Sequence, residues 1–141
     1  MKFPENFEMV FNRRLIFGKN KIQEIPGILN WYNKKKVLFV TFSSQFSTYN
    51  ELSELLKASG LEVVPYEVKT EPSLQTIDHG RDIYMEENCD CTIALGGGSV
   101  IDAAKVIGML LNRLCLLLSP QLPVPVQKQL KQALSSTITT I

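Results

Sequence analysis

The sequence has little of what several classes of protein require. Its three cysteines are too few for a disulfide framework and lack the Cys-x-x-Cys spacing of common metal sites. The only histidine, His79, cannot form a metal site alone. A net charge of +1 gives no reason to expect nucleic acid or an anionic membrane as a partner. No apolar run of 18 residues occurs, so we expect no transmembrane helix, and the N-terminus without an apolar signal core predicts a cytoplasmic protein.

What is present is ordinary globular sequence with a strand–helix alternation after residue 36. Hydrophobic residues make up 45% of the 141 residues, enough to bury a core. Near-continuous apolar runs are typical of parallel strands that are buried on both faces. The alternation predicts an α/β doubly wound, mostly parallel sheet with right-handed crossovers. Within this alternation the predicted strands are residues 37–41, 61–68 and 91–95, and the predicted helices are residues 49–59, 73–87 and 100–111. A further short strand is predicted before it, at residues 14–18.

Three consecutive glycines, Gly96, Gly97 and Gly98, directly follow the last predicted strand. Glycine permits positive φ and leaves no Cβ in the way of a ligand. The next helix would direct its unpaired N–H groups and positive dipole end at the loop, which favours phosphate binding. The alternative is a plain capped turn, because Ser99 and Asp102 also have the spacing of a capping box with Ser99 as the N-cap.

A second loop, residues 43–47, follows the strand that ends at Thr41. In doubly wound sheets, ligands bind beyond the carboxyl ends of the strands. Both loops are predicted at that edge, and together they suit a ligand as long as a dinucleotide.

The run Gly-Gly-Gly-Ser-Val-Ile-Asp-Ala-Ala-Lys at residues 96–105 closely resembles the iron-containing (metal-dependent, group III) alcohol dehydrogenase family. The similarity covers roughly residues 9–112 and includes Leu-Ile-Phe-Gly at 15–18 and Glu-Pro-Ser at 71–73. It implies a dinucleotide-binding domain of the dehydroquinate synthase type, which an all-helical domain follows in the family. It also implies hydride transfer between NAD(P)H and an alcohol–aldehyde pair, with Fe²⁺ or Zn²⁺ polarising the oxygen.

The same resemblance implies roles for particular residues. Gly97, Gly98 and Ser99 would hold the pyrophosphate, and Asp102 would lie near the nicotinamide. After Thr41 the family commonly has an Asp that binds the ribose hydroxyls of adenosine, and here Phe42 stands in its place. The missing carboxylate leaves both NAD and NADP open as cofactors. The family's metal ligands, one Asp and three His, lie in the helical domain, so we predict no catalytic residue and no metal site in this chain.

Residues 113–141 have no clean apolar period, and we expect them to be irregular after about residue 119. Residues 114–118 are apolar enough to pack as a strand or a helix. In a shifted reading frame, compatible codons yield Pro-Ala-Leu-Pro-Leu-Ile-Val-Ser-Pro-Thr-Ala-Gly-Thr-Gly-Ser-Glu, which is very similar to a cofactor-contacting segment of the family. We therefore divide the chain into an NAD(P)-binding domain, residues 1–112, and an aberrant, out-of-frame tail, residues 113–141.

Three hypotheses about function follow. The chain is the cofactor-binding part of a truncated alcohol dehydrogenase that is inactive alone, a free-standing nucleotide-binding module without catalysis, or a fragment whose exposed apolar surface aggregates. The expected partner is the dinucleotide, without nucleic acid or membrane, and a homo-oligomer is allowed.

Overall fold

A computed structural model describes residues 14–17, 21–111, 114–118 and 137–140. The strands are β1 (Arg14–Phe17), β2 (Lys36–Thr41), β3 (Glu62–Glu67), β4 (Cys91–Leu95), β5 (Leu114–Leu118) and β6 (Thr137–Thr140). The helices are α1 (Ile25–Trp31), α2 (Ser47–Ala58), α3 (Leu74–Glu86) and α4 (Gly98–Leu111), and a 3₁₀ turn at Lys21–Glu24 precedes α1. No helix of the described part of the chain is both long and apolar enough to cross a membrane.

The six strands form one sheet in the order β1-β6-β5-β4-β2-β3. Strands β3, β2, β4 and β5 are mutually parallel, whereas β6 runs antiparallel to both β5 and β1. The mostly parallel α/β sheet predicted from the sequence is therefore confirmed. Pro65 lies on β3, the edge strand, where its missing N–H costs no interior ladder bond.

Helices cover both faces of the sheet, which confirms the doubly wound arrangement. On one face, side chains of α1 and α2 pack with Phe39 and Ile93. On the other face, side chains of α3 and α4 pack with Val40 and Ala94. Strand β4 is buried at every residue, and β2 is buried at all but its first, as expected for central parallel strands.

The far end of the chain corrects one expectation. Thr137–Thr140 form a strand, although we predicted irregular structure after residue 119. Its β-branched residues suit a pleated strand, and it pairs with β1 on one side and β5 on the other. Residues 119–136 lie outside the described residues. Leu114–Leu118, for which the sequence allowed a strand or a helix, form a strand parallel to β4.

Gly80 marks the closest packing between α3 and its neighbours, and it yields a stability prediction. A Cβ at this position would lie 2.6 Å from Cδ1 of Ile107 and 2.8 Å from Cε1 of Tyr66. Ile107 is fully buried, and the Tyr66 hydroxyl donates to the Thr76 carbonyl at 2.6 Å, so neither side chain can move freely. We expect Gly80→Ala to lower the free energy of unfolding by about 1–2 kcal/mol, because overpacking strains the core.

Urea denaturation of Gly80→Ala beside Gly27→Ala provides the measurement. Gly27 is also helical, but a Cβ there meets no atom within 4 Å, so its substitution should not destabilise the chain. Equal stability of the two variants would contradict the packing assigned to Gly80.

Candidate cofactor-binding site

The two loops predicted to face a ligand emerge side by side. Thr41, the last residue of β2, pairs in register with Leu95, the last residue of β4. Phe42 and Gly96 therefore leave the sheet at the same level, on neighbouring strands that lie about 4.8 Å apart. The prediction that both loops share the carboxyl edge is confirmed.

The three glycines have different physical reasons for being glycine. Gly96 has a φ of +156°, which L side chains rarely adopt, and a Cβ there would lie 3.1 Å from Cγ2 of Val100, which would have to shift by a few tenths of an ångström. Gly97 and Gly98 are exposed, have no positive φ, and would place a Cβ where no atom lies within 4 Å. Neither backbone conformation nor packing accounts for them. Because Gly97 and Gly98 lack side chains, the surface over their backbone is open, which fits the close approach of a phosphate group.

Helix α4 begins at this surface, two residues earlier than a capping box with Ser99 as the N-cap requires. Its first intrahelical bond runs from the Ile101 N–H to the Gly97 carbonyl at 3.1 Å, so Gly97 is the N-cap. Ser99 lies inside the first turn, and the prediction of Ser99 as the N-cap is wrong. The N–H groups of Gly98, Ser99 and Val100 precede that first bond and lie at the positive end of the helix dipole.

Packing holds α4 in this orientation. Ala103, Ala104 and Ile107 are fully buried against the sheet, and Val100 is nearly so. The small alanine side chains permit a close approach of helix and sheet. Asp102 lies in the second turn and is exposed. The glycine loop is therefore fixed by a buried helix face on one side and by β4 on the other.

The loop after β2 is fixed by its own polar groups. The buried Thr41 hydroxyl donates to the Ser43 carbonyl at 3.4 Å, and Ser43 Oγ accepts from the Gln45 N–H at 3.2 Å. Ser44 donates from both its N–H and its hydroxyl to Oε1 of Glu67, at 2.9 and 2.7 Å. Glu67 ends the neighbouring strand β3, so it ties this loop to the edge of the sheet.

Two aromatic rings stand out from this loop. Phe42 and Phe46 are 47% and 48% exposed, and their rings stack with centroids 6.0 Å apart and planes 17° from parallel. Sequence analysis singled out Phe42 but missed Phe46 and Glu67. The signal for Glu67 was its place at the end of a strand on the same edge. The sequence contains no comparable signal for Phe46, because its pairing with Phe42 depends on the path of the loop.

The bond between Glu67 and Ser44 predicts a pH dependence. Donation from the Ser44 backbone and hydroxyl, and then the Lys69 ammonium at 3.2 Å, lower the pKa of Glu67 from 4.5 to about 2. A depressed carboxyl pKa stabilises the folded state fully above the unfolded pKa, and that contribution is lost as the pH falls through the folded pKa. Wild type should therefore be more stable than Glu67→Gln above about pH 5, and the difference should shrink as the pH approaches about 2.

Urea unfolding of both proteins across that range is the measurement. Parallel curves with a constant separation would show that the Glu67 carboxylate is not held by Ser44. Ser44→Ala should reproduce much of the loss, because it removes one of the two Ser44 donors.

The chain's single histidine is on neither loop. His79 is on α3, and its ring packs edge-on against Tyr66 with centroids 5.9 Å apart. Among the described residues, no group of three or more His, Cys, Asp or Glu side chains could hold a metal ion. Cys89 and Cys91 are buried free thiols, and burial raises the pKa of Cys89 to about 11 and that of Cys91 further. Both thiols are therefore protonated and poorly nucleophilic at neutral pH.

A parallel α/β sheet with a glycine loop and a helix N-terminus at its carboxyl edge is an arrangement that nucleotide-binding α/β domains share. The model of one family, "Iron-containing alcohol dehydrogenase", matches residues 12–140. The chain belongs to the iron-containing alcohol dehydrogenase family.

Similar proteins carry related names. The chain is 33% identical over 106 residues to a probable NADH-dependent butanol dehydrogenase 1 of Bacillus subtilis, covering 73% of this chain and 27% of that protein. It is 33% identical over 98 residues to an NADPH-dependent butanol dehydrogenase of Clostridium saccharobutylicum, covering 67% and 24%. The crystal structure of NADH-dependent butanol dehydrogenase A from Thermotoga maritima superposes with a TM-score of 0.66 at 28% identity, covering 74% and 27%. The chain thus spans about a quarter of the length of these proteins.

Proposed function

We propose that this chain binds NAD or NADP at the loop formed by Gly96, Gly97, Gly98 and Ser99, as the cofactor-binding part of a truncated alcohol dehydrogenase. The observation that carries the proposal is the open backbone at Gly97 and Gly98, where neither φ nor packing requires glycine. The pyrophosphate would accept hydrogen bonds from the first N–H groups of α4. The adenosine half would extend over Thr41 and Phe42, and Asp102 would lie toward the nicotinamide.

The choice between the two cofactors is part of the proposal. Similar proteins are named for NADH in one case and NADPH in another. Phe42 offers no carboxylate to bind a ribose hydroxyl or to repel a 2′-phosphate, whereas the ionised Glu67 lies on the next strand along the same edge. Both cofactors should bind, and we expect Glu67 to favour NADH over NADPH by Coulombic repulsion of the additional phosphate, an effect that its ion pair with Lys69 reduces.

Titration with NADH and NADPH, followed by nicotinamide fluorescence, tests this function. We expect saturable binding of both cofactors, with a higher affinity for NADH. In Glu67→Gln, the difference between the affinities for NADH and NADPH should be smaller. The absence of any saturable change with either cofactor would overturn the proposal.

We further propose that the chain does not transfer hydride alone. The family resemblance implies a metal held by one Asp and three His, whereas this sequence contains one histidine, and that residue packs against Tyr66. These residues do not fit the family's metal. With NAD⁺, butanol and added Fe²⁺ or Zn²⁺, we expect no formation of NADH above a protein-free control. Metal-dependent turnover that survives purification would contradict this expectation.

Residues 113–141 are proposed to be translated out of frame. The support is the shifted-frame match to Leu-Pro-Leu-Ile-x-Ile-Pro-Thr-Thr-Ala-Gly-Thr-Gly-Ser-Glu of the family, although the family model also spans this stretch in the frame as given. Sequencing the gene beyond codon 105 decides whether residues 113–141 are translated in the family's reading frame or in a shifted one. A shifted frame that continues into a histidine-rich helical region supports truncation by a frameshift, and its absence overturns it.

A further inference from the structure

The loop between β2 and α2, residues 42–46, orients its groups unusually for an exposed segment. Its serine hydroxyls are used within the protein: Ser43 Oγ accepts from Gln45, and Ser44 Oγ donates to Glu67. The exposed side chains of the loop are the rings of Phe42 and Phe46 and the amide of Gln45. Exposed aromatic surface lowers stability unless something covers it. The loop is therefore organised to present apolar rings rather than hydroxyl groups.

Phe46 occupies a position where another residue would serve the fold better. It is the N-cap of α2, with extended backbone (φ −66°, ψ 137°) and no side-chain capping bond. Ser, Thr, Asp and Asn are strongly preferred at N-caps because their oxygens accept from the first N–H groups. By comparison, α3 has Ser73 as its N-cap, which accepts from the Thr76 N–H at 3.2 Å. Helix stability does not explain a phenylalanine at position 46.

The loop that carries the two rings leaves the sheet next to the glycine loop. Phe42 follows Thr41, which pairs with the residue before Gly96, so the backbone of Phe42 lies one strand away from the proposed pyrophosphate site. With centroids 6.0 Å apart and planes 17° from parallel, the rings already contact each other, and the pair presents an outer aromatic face. A flat, neutral, aromatic group attached to a pyrophosphate would match this face.

We propose that Phe42 and Phe46 form a stacking platform for the adenine base of the dinucleotide. This inference rests on the proposed function and deepens it, since it assigns a binding surface to the adenine base. The platform would hold the adenosine by stacking, whereas the family commonly binds the ribose with a carboxylate. Stacking on one aromatic side chain strengthens binding of a base by roughly ten-fold or more. The platform needs no charge, and the residues from 42 to 47 carry none.

The test measures the affinities of ADP and of inorganic pyrophosphate by calorimetry for wild type and four variants of the full chain. Phe42→Ala should weaken ADP about ten-fold and leave pyrophosphate unchanged, whereas Phe42→Tyr should retain ADP binding because it keeps the ring. Phe46→Ser should raise the melting temperature by supplying a cap and yet weaken ADP. Leu74→Ala is the matched control, since Leu74 is exposed but lies on α3, and it should change neither affinity.

The outcomes separate this inference from the proposed function. If wild type binds both probes and Phe42→Ala binds ADP as tightly as wild type, the platform is wrong and the glycine-loop site stands. If Phe42→Ala weakens both probes equally, the ring shapes the loop and does not stack on a base, which also overturns the platform. If wild type binds neither probe, the proposed function and the platform both fail.

Discussion

Gly98→Val is expected to weaken NADH binding at least about a hundred-fold while leaving the free energy of unfolding nearly unchanged. Gly98 is the first residue of α4, and a side chain there would extend into space that no protein atom occupies. The branched side chain would stand where the pyrophosphate approaches the helix N–H groups. A loss of that size corresponds to about 3 kcal/mol, which is reasonable when a ligand loses several charge-assisted bonds.

Gly27→Val is the matched control for this substitution. Gly27 is likewise an exposed glycine in the first turn of a helix, with no atom within 4 Å of its virtual Cβ. Any general cost of valine in a helix should be similar in the two variants, so only Gly98→Val should affect NADH. Fluorescence titration of both proteins measures the difference. Comparable NADH affinities would show that the open surface at Gly98 is not the cofactor site.

Phe39→Ala is expected to lower the free energy of unfolding by about 3–5 kcal/mol. Phe39 is fully buried on β2, and its ring packs against that of Tyr49 with centroids 4.5 Å apart. Removing it leaves a cavity between the sheet and α2 that the central strand cannot close. Because domains of this kind are stable by only about 5–15 kcal/mol, the variant should lose a large share of its free energy of unfolding.

Phe42→Ala, three residues along, is the control for Phe39. Its ring is half exposed, so its removal should change the free energy of unfolding by less than about 1 kcal/mol. Urea unfolding followed by circular dichroism compares the two. Similar losses would contradict the central place of β2 in the sheet and the exposure of Phe42.

The parts of the fold that were predicted correctly depend on residues close together in the sequence. An apolar run such as Cys91–Leu95 directly indicates a buried strand, and Pro65 is compatible with a strand at the edge of the sheet. The pairing of Thr137–Thr140 with β1 could not be predicted, because register between strands far apart in the chain depends on the whole sheet rather than on neighbouring residues.

The candidate site was predicted in part. The glycine loop and its place on the sheet followed from strand–glycine–helix order. The first residue of α4 was not predicted correctly, because glycine has low helix propensity and Ser99 is a better local N-cap. In the structure, the bond from the Ile101 N–H to the Gly97 carbonyl begins the helix earlier. Glu67 bonds to Ser44 on a separate element, and Phe46 pairs with the ring of Phe42. Sequence spacing alone does not indicate contacts of these kinds.

The most direct test of the central claim is the change in backbone amide NMR shifts as NADH is added to the full chain. The account predicts the largest changes at Gly97, Gly98 and Ser99, with a second group at Phe42 and its loop. Changes confined to other elements, or none at saturating NADH, would contradict a dinucleotide site at the glycine loop.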